Sequence, residues 1–312
     1  MIDRRNFLAV FVASACIYPQ HLFASVIDFG AKGNGVADDT SAIQRTIDQS
    51  SHVYFPPGKY LHTGINVPKG RSLIGSTWNS TELYLKDQAN PAAGVTLEGP
   101  KIRIENMAIN GNRQQNLNCD GIAVRDNAQI HFVTLSNLMI NNFGGTGVVL
   151  NNANMAHIQN CSITRCGIGV KIGSSRPITF TNVDIAKFVS SGIQIKRTKK
   201  KPIIFSYTSG FMESYPKPKD LQKQIPTENG ATFIKMDGLN SLDNVIISGV
   251  WMNGHYDTHK LNTVGYNIVN SDEFPTLTIT NSIMHGVKIS ALVDNEALQE
   301  DLKQLLKIVN KN

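Results

Sequence analysis

Two short motifs recur through the middle of this chain, one led by asparagine and one by glycine. Their fixed period restricts the fold to a solenoid. The asparagine-led copies are Asn106-Met-Ala-Ile109, Asn137-Leu-Met-Ile140, Asn160-Cys-Ser-Ile163 and Asn182-Val-Asp-Ile185. Each is followed by a glycine-led copy: Gly121-Ile-Ala-Val124, Gly147-Val-Val-Leu150, Gly169-Val-Lys-Ile172 and Gly192-Ile-Gln-Ile195. The step is 23 residues from Asn137 to Asn160, 22 from Asn160 to Asn182, 22 from Gly147 to Gly169 and 23 from Gly169 to Gly192. The pattern returns with gaps at Asn244-Val-Ile-Ile247, Gly265-Tyr-Asn-Ile268 and Asn281-Ser-Ile-Met284.

Within each segment the apolar residues alternate, as in Met107/Ile109, Leu138/Ile140, Cys161/Ile163 and Val183/Ile185. A period of two is that of a strand with one buried face, so the solenoid is a parallel β-helix with these side chains inside. Successive coils then stack at about 4.8 Å. Asparagine tolerates the left-handed backbone of a tight bend, and its amide can bond the asparagine of the next coil. In the Gly-led strands the inward residues are Ile122/Val124, Val148/Leu150, Val170/Ile172 and Ile193/Ile195. The outward ones are Ala123/Arg125, Val149/Asn151, Lys171/Gly173 and Gln194/Lys196.

Ahead of the repeat stands V-I-D-F-G-A-K-G-N-G-V-A-D-D-T-S-A-I-Q-R-T-I-D, from Val26 to Asp48. Through Phe29, Gly30, Ala31, Gly33, Gly35, Asp38, Asp39, Thr40, Ile43 and Gln44 it resembles the N-terminal signature of the pectate-lyase-like superfamily. That resemblance implies an all-β, right-handed parallel β-helix that handles long acidic sugars. Asp38 or Asp39 is placed to N-cap a short helix carrying Ile43 and Ile47 on one face, which would cover the first coil. Val53 to Tyr60 reads as a first strand and turn. At the far end Leu298, Leu302, Leu305, Leu306 and Val309 form an apolar stripe at helical spacing, with Asp294 or Asn295 as its cap. Such an amphipathic helix either covers the last coil or joins two copies of the chain. The expected division is residues 1–24 as an export signal, 25–292 as the β-helix domain and 293–312 as the C-terminal helix.

Arg4 and Arg5 precede the apolar run Phe7 to Ile17, which is too short to span a bilayer and resembles a twin-arginine export signal. Cleavage is expected after Ala24, with a cut before Cys16 as the lipoprotein alternative, and both place the protein in the periplasm or outside the cell. The net charge is +6, or +5 once residues 1–24 with Asp3, Arg4 and Arg5 are set aside. That balance suits an anionic partner. No compact basic run with interleaved aromatics appears beyond Arg197 to Lys201, so nucleic acid is not expected. Once residues 1–24 with Cys16 are set aside, Cys119, Cys161 and Cys166 remain, too few and odd in number for a disulfide scaffold.

Arg125, Lys171 and Lys196 would stand on one outer face, where they could receive the carboxylates of an acidic polysaccharide. Asn151 and Gln194 lie on the same face. Asn110 to Asp120 and Trp251 to Val264 are expected to be loops on one edge of the Gly-led sheet. Thr198 to Asn229, with Tyr207, Phe211, Glu213 and Tyr215, is expected to be a third. Tyr207, Tyr215, Trp251 and Tyr256 are candidates for stacking on sugar rings, with His255 beside them. His255, Asp257 and His259 have metal-binding donor types, but nothing else in the sequence supports a metal there.

The chain also resembles the polygalacturonase branch of these helices, whose motifs N-T-D-G, D-D, G-H-G and R-I-K lie on successive Gly-led strands. Here Asn118-Cys119-Asp120-Gly121 matches the first. Gly145-Thr146 replaces the paired aspartates, Ile168 replaces the histidine of Gly167-Ile168-Gly169, and Gln194 replaces the arginine of Gln194-Ile195-Lys196. Inverting hydrolysis needs an acid and a base, and Asp120 alone cannot be both. β-Elimination on a uronate needs a base and positive charge, roles open to Lys171, Lys196 and Arg125 with Asp120 holding a lysine or a calcium ion. No cofactor is otherwise expected. The sequence therefore points to an exported protein acting on an acidic polysaccharide as lyase or hydrolase. The alternative is a non-catalytic glycan-binding β-helix serving exopolysaccharide assembly or export.

Overall fold

The computed structural model describes residues 23–124, 130–198, 201–214, 231–254, 264–269 and 275–285. Residues 1–22 of the expected export signal, the C-terminal helix, Arg125, Tyr215, His255, Tyr256, Asp257 and His259 lie outside the described residues. The described residues form 22 strands and a single helix, Thr40–Gln49. The strands are all paired in parallel, and the coils wind as a β-helix. One coil shows the plan. Ile130–Asn141 supplies a first and a second face, bent between them at Asn137, where φ is 52°. Thr146–Leu150 then supplies the third, Gly-led face. The Gly-led strands stack into an eight-stranded sheet from Ile65–Val67 to Val264–Val269.

The bend between the first two faces repeats at Asn106, Asn137, Asn160 and Asn182, with φ of 60°, 52°, 52° and 53°. The expected ladder is present: Asn137 donates its amide to Asn106 at 3.0 Å, and Asn182 donates to Asn160 at 2.9 Å. The inward residues of the Gly-led strands are buried, with Ile122, Val148, Val170 and Ile193 at 0% exposure. Each such side chain contributes about 1.5–3 kcal/mol by leaving water. Cys119, Cys161 and Cys166 are free and buried in the same core. Burial pushes the thiols of Cys119 and Cys166 up to about 12 and that of Cys161 to about 11, so they serve as packing rather than as nucleophiles.

Two expectations are corrected. Thr198 to Asn229 is not one loop, because Ile204–Ser214 is a full strand stacked between Ile178–Phe188 and Asn244–Gly254. Its corner residue is Ser209 (φ 57°), which makes the same left-handed bend without the asparagine that marks the others. Asn244 does not stand at a corner. It pairs with Ile204 at the start of the first face, and the bend of that coil is made by Gly249, φ 63°.

The N-terminal signature builds the cap. Asp39 occupies the N-cap position of the helix, but its carboxylate turns away and accepts the N–H groups of Lys32 (2.6 Å) and Gly33 (3.0 Å). Asp38 instead accepts the Thr40 N–H at 3.0 Å. Gly33 has φ 57°, and a Cβ there would lie 2.8 Å from the Tyr60 ring. The helix buries Ala42, Ile43, Thr46 and Ile47. Its Gln44 amide donates to the carbonyl of Asn66 and accepts the Asn66 N–H, both at 3.0 Å. A side chain thus completes the hydrogen bonding of the first Gly-led strand, where an open edge would invite another chain.

Candidate functional site

The Gly-led face presents its outward side chains in columns fixed by register. The central column runs Ala123, Val149, Lys171, Gln194 and Lys235. Lys171, Gln194 and Lys235 are thus stacked on three successive coils. A second column, at the strand starts and two residues before the inward positions, runs Asp120, Thr146, Ile168, Ser191 and Thr232, of which Thr146, Ser191 and Thr232 are buried. It holds one carboxylate. Asp120 Oδ1 accepts the Thr146 N–H at 2.5 Å, which ties the start of one strand to the next coil. A Cβ on Gly145 would approach that oxygen to 2.4 Å, so glycine is required beside it.

The sequence-derived trio does not converge. Lys171 lies two coils above Asp120, about 10 Å along the axis, and Lys196 three coils above, about 14 Å, at the opposite end of its strand. Lys196 is paired with Asp237 at 3.1 Å. Gln194 donates to the Ser191 hydroxyl at 3.3 Å. Asn151 lies over Gly173, where a Cβ would come within 2.7 Å of its Oδ1.

The aromatic candidates fall elsewhere. Tyr207 is at 0% exposure, its phenol donating to the carbonyl of Val183, so it belongs to the core and not to a sugar platform. It shares the inward parity of Phe205 on the first face of Ile204–Ser214. Trp251 is exposed as expected (52%), but it sits in the strand Asn244–Gly254 on the second face, not in a loop beside the Gly-led sheet. It meets Phe211 of the preceding coil edge-to-face, with centroids 5.7 Å apart. Glu213 is also on that strand face rather than in a loop.

A further site lies at the asparagine corner. A groove of about 330 Å³ runs over Asn106, Asn137, Asn160 and Asn182, flanked by Ser162, Asp184, Thr77 and Trp78. Its end wall is an insertion. Gly75 stands at the corner position of its coil and Thr81 begins the next face, so Ser76 to Ser80 is extra chain where later coils bend at one residue. That insertion is held by N–H bonds from Thr81 and Ser80 to the Thr77 carbonyl at 2.9 and 3.1 Å, and by the Gly58 N–H on the Ser80 carbonyl at 2.7 Å. Trp78 stands on it, partly exposed. Burial holds the Asp184 carboxyl above its ordinary value, opposed by a hydrogen bond from the Phe211 N–H. Sequence reasoning passed over this groove. Its signal was the turn-rich G-S-T-W-N-S-T interrupting two alternating segments, Ser72 to Gly75 and Thr81 to Leu85.

Among the described residues no group of three or more His, Cys, Asp or Glu is placed to hold a metal ion. Nor is any helix there long and apolar enough to cross a membrane.

Residues 23–100 match the family model described as rhamnogalacturonase A/epimerase, pectate lyase-like, and residues 93–209 match that of the right-handed β-helix region. The chain is 42% identical over 76 residues to a probable glucan endo-1,3-beta-glucosidase of Arthroderma benhamiae, a stretch covering 22% of this chain and 9% of the relative. It is 31% identical over 214 residues to a glucan 1,3-beta-glucosidase of Cochliobolus carbonum, covering 56% of this chain and 26% of the relative. The chain therefore spans about a quarter or less of the length of these relatives. Among solved structures, the A-module of the mannuronan C-5 epimerase AlgE4 of Azotobacter vinelandii superposes with a TM-score of 0.53 at 14% identity, over 87% of this chain and 98% of the module.

Proposed function

Because this chain is a right-handed parallel β-helix protein of the pectate-lyase-like kind, we propose that it acts on a polysaccharide, holding the acidic residues of an exported glycan along its Gly-led face. One observation carries this reading: Lys171, Gln194 and Lys235 stand in register on three successive coils. Two ammonium groups with an amide between them, repeated at about 4.8 Å, match a linear polymer bearing carboxylates better than they match a small ligand. The protein works in this reading as a binding element of the periplasm or cell exterior, since Asp120 is occupied as a strand tie and Lys196 is occupied by Asp237.

A second reading is favoured by the two relatives named for 1,3-β-glucan hydrolysis. Glycoside hydrolysis needs two carboxyl groups about 5–10 Å apart. The strand-start column offers Asp120 alone, so the partner would have to come from another segment.

One set of incubations separates the two. The purified mature protein is mixed with polygalacturonate, alginate and neutral glucans, and binding, reducing ends and unsaturated-end absorbance are followed. Retention of a uronate polymer without new ends is the expected result. Failure to retain any uronate polymer overturns the binding reading. New reducing ends that disappear in Asp120→Asn would establish the hydrolytic one instead.

A further inference from the structure

We infer that the asparagine corner is a second, separate glycan site, built for an uncharged hydroxyl-rich polysaccharide. The inference does not rest on the Gly-led face. The groove follows the coil axis for at least four steps, from the Trp78 insertion across Asn106, Asn137, Asn160 and Asn182. One to two coils further on, Phe211 and Trp251 continue the outward column of Asp184, because Asp184 pairs with Phe211 and Phe211 with Trp251. An aromatic ring thus stands at each end of a line of amides. From the coil of Trp78 to that of Trp251 is six steps, about 29 Å, room for an oligosaccharide rather than a single sugar.

The chemistry of the lining selects the ligand. An asparagine amide offers two donors and an acceptor with two lone pairs, and each ladder bond uses only one of these. Alternating donors and acceptors suit sugar hydroxyls, which are themselves both. Ser162 adds a hydroxyl and Asp184 a carboxylate acceptor. The groove lining contains no lysine, arginine or histidine, and its one ionisable carboxyl would repel a uronate. The flat faces of sugar rings pack on exposed aromatics such as Trp78 and Trp251, at 36% and 52% exposure.

The chain contains two tryptophans, Trp78 and Trp251, and both belong to this line. Intrinsic fluorescence therefore reports on the site directly. The mature protein is titrated with oligosaccharides from neutral β-glucan, α-glucan, mannan and galactan, and with oligogalacturonate as the charged control. A saturable emission change with one of the neutral series, weakened at least about tenfold in both Trp78→Ala and Asp184→Ala, is the expected result. Circular dichroism verifies that each variant is folded. If no neutral series changes the emission, or if both variants titrate like the parent, the inference fails. If oligogalacturonate gives the emission change instead, the assignment to uncharged glycans is wrong. Lys171→Ala/Lys235→Ala should leave the neutral titration unaltered, so failure here is distinguishable from failure of the Gly-led reading.

Discussion

The Gly-led face and the asparagine corner are made by the same coils at the same rise, yet one presents a row of side chains in register and the other a groove. On the Gly-led face the outward side chains of successive strands stand parallel, and the register spaces Lys171, Gln194 and Lys235 evenly. At the corner the backbone turns through a left-handed residue, and an insertion raises Trp78 across one end. Flat repetition creates rows of charge. Depth requires a bend together with one departure from the repeat.

The largest effect should erase the comparison by weakening both sites together. Asp243 is buried and accepts the N–H groups of Ile203 (2.7 Å) and Asn240 (2.8 Å) and the guanidinium of Arg197 (3.2 Å). Asp243→Ala strands these donors and should cost about 3 kcal/mol or more, lowering the thermal midpoint by roughly 10 °C. Calorimetry of the variant checks this, and an unchanged midpoint would mean the network is not structural.

Acid should act similarly on both. His62 is fully buried, accepts the Gly64 N–H on Nδ1 and has no partner on Nε2. Burial lowers its pKa to about 4, against a small opposing pull from Asp38. Between its ordinary value near 6.5 and 4, the unfolded chain therefore takes the proton and the folded one does not. Stability is whole above about pH 6.5 and should fall by up to about 3 kcal/mol on descent to pH 4, from this residue. Denaturant melts of His62→Gln beside the parent would reveal it, because the variant should lose that part of the pH dependence.

Smaller effects should separate the two sites. In Lys171→Ala/Lys235→Ala, binding of polygalacturonate should drop on the order of tenfold, with a weaker salt dependence, and neutral-glycan fluorescence should be unmoved. Equal losses on both ligands would merge the two sites into one. Smallest, Asp237→Asn should leave stability within about 1 kcal/mol, since the lysine of the pair it breaks is exposed and the amide keeps the shape of the carboxylate. By releasing Lys196 it should tighten uronate binding by a few-fold in the same titration.

The coils were legible because their marks are local. A positive φ at the corner favours asparagine, and inward alternation favours Val and Ile, so both appear in the sequence at a fixed step. Where another residue met the same demand the mark vanished. Ser209 and Gly249 make the bend that asparagine makes elsewhere, and Phe233 stands in the register of the leading glycines, so the coil of Ser209 carried no mark and Asn244 was placed at the corner that Gly249 makes. The outward row of Lys171 and Gln194 followed directly from alternation. The groove did not, since it depends on how far Ser76 to Ser80 projects over a neighbouring coil and not on any spacing within a strand. Asp120 was visible as a lone carboxylate, but its use as a tie to Thr146 is a contact 26 residues away in the chain.

The clasp of Gln44 on Asn66 has a consequence for how such a molecule can change size. With the backbone of Ile65–Val67 already answered by a side chain, no additional coil can be stacked in front of it without discarding the cap. Any lengthening of the groove has to happen downstream, by duplicating a whole coil between Trp78 and Trp251. Each such duplication would move the two tryptophans one strand spacing further apart, so the distance between them is a ruler for the length of sugar the corner accommodates.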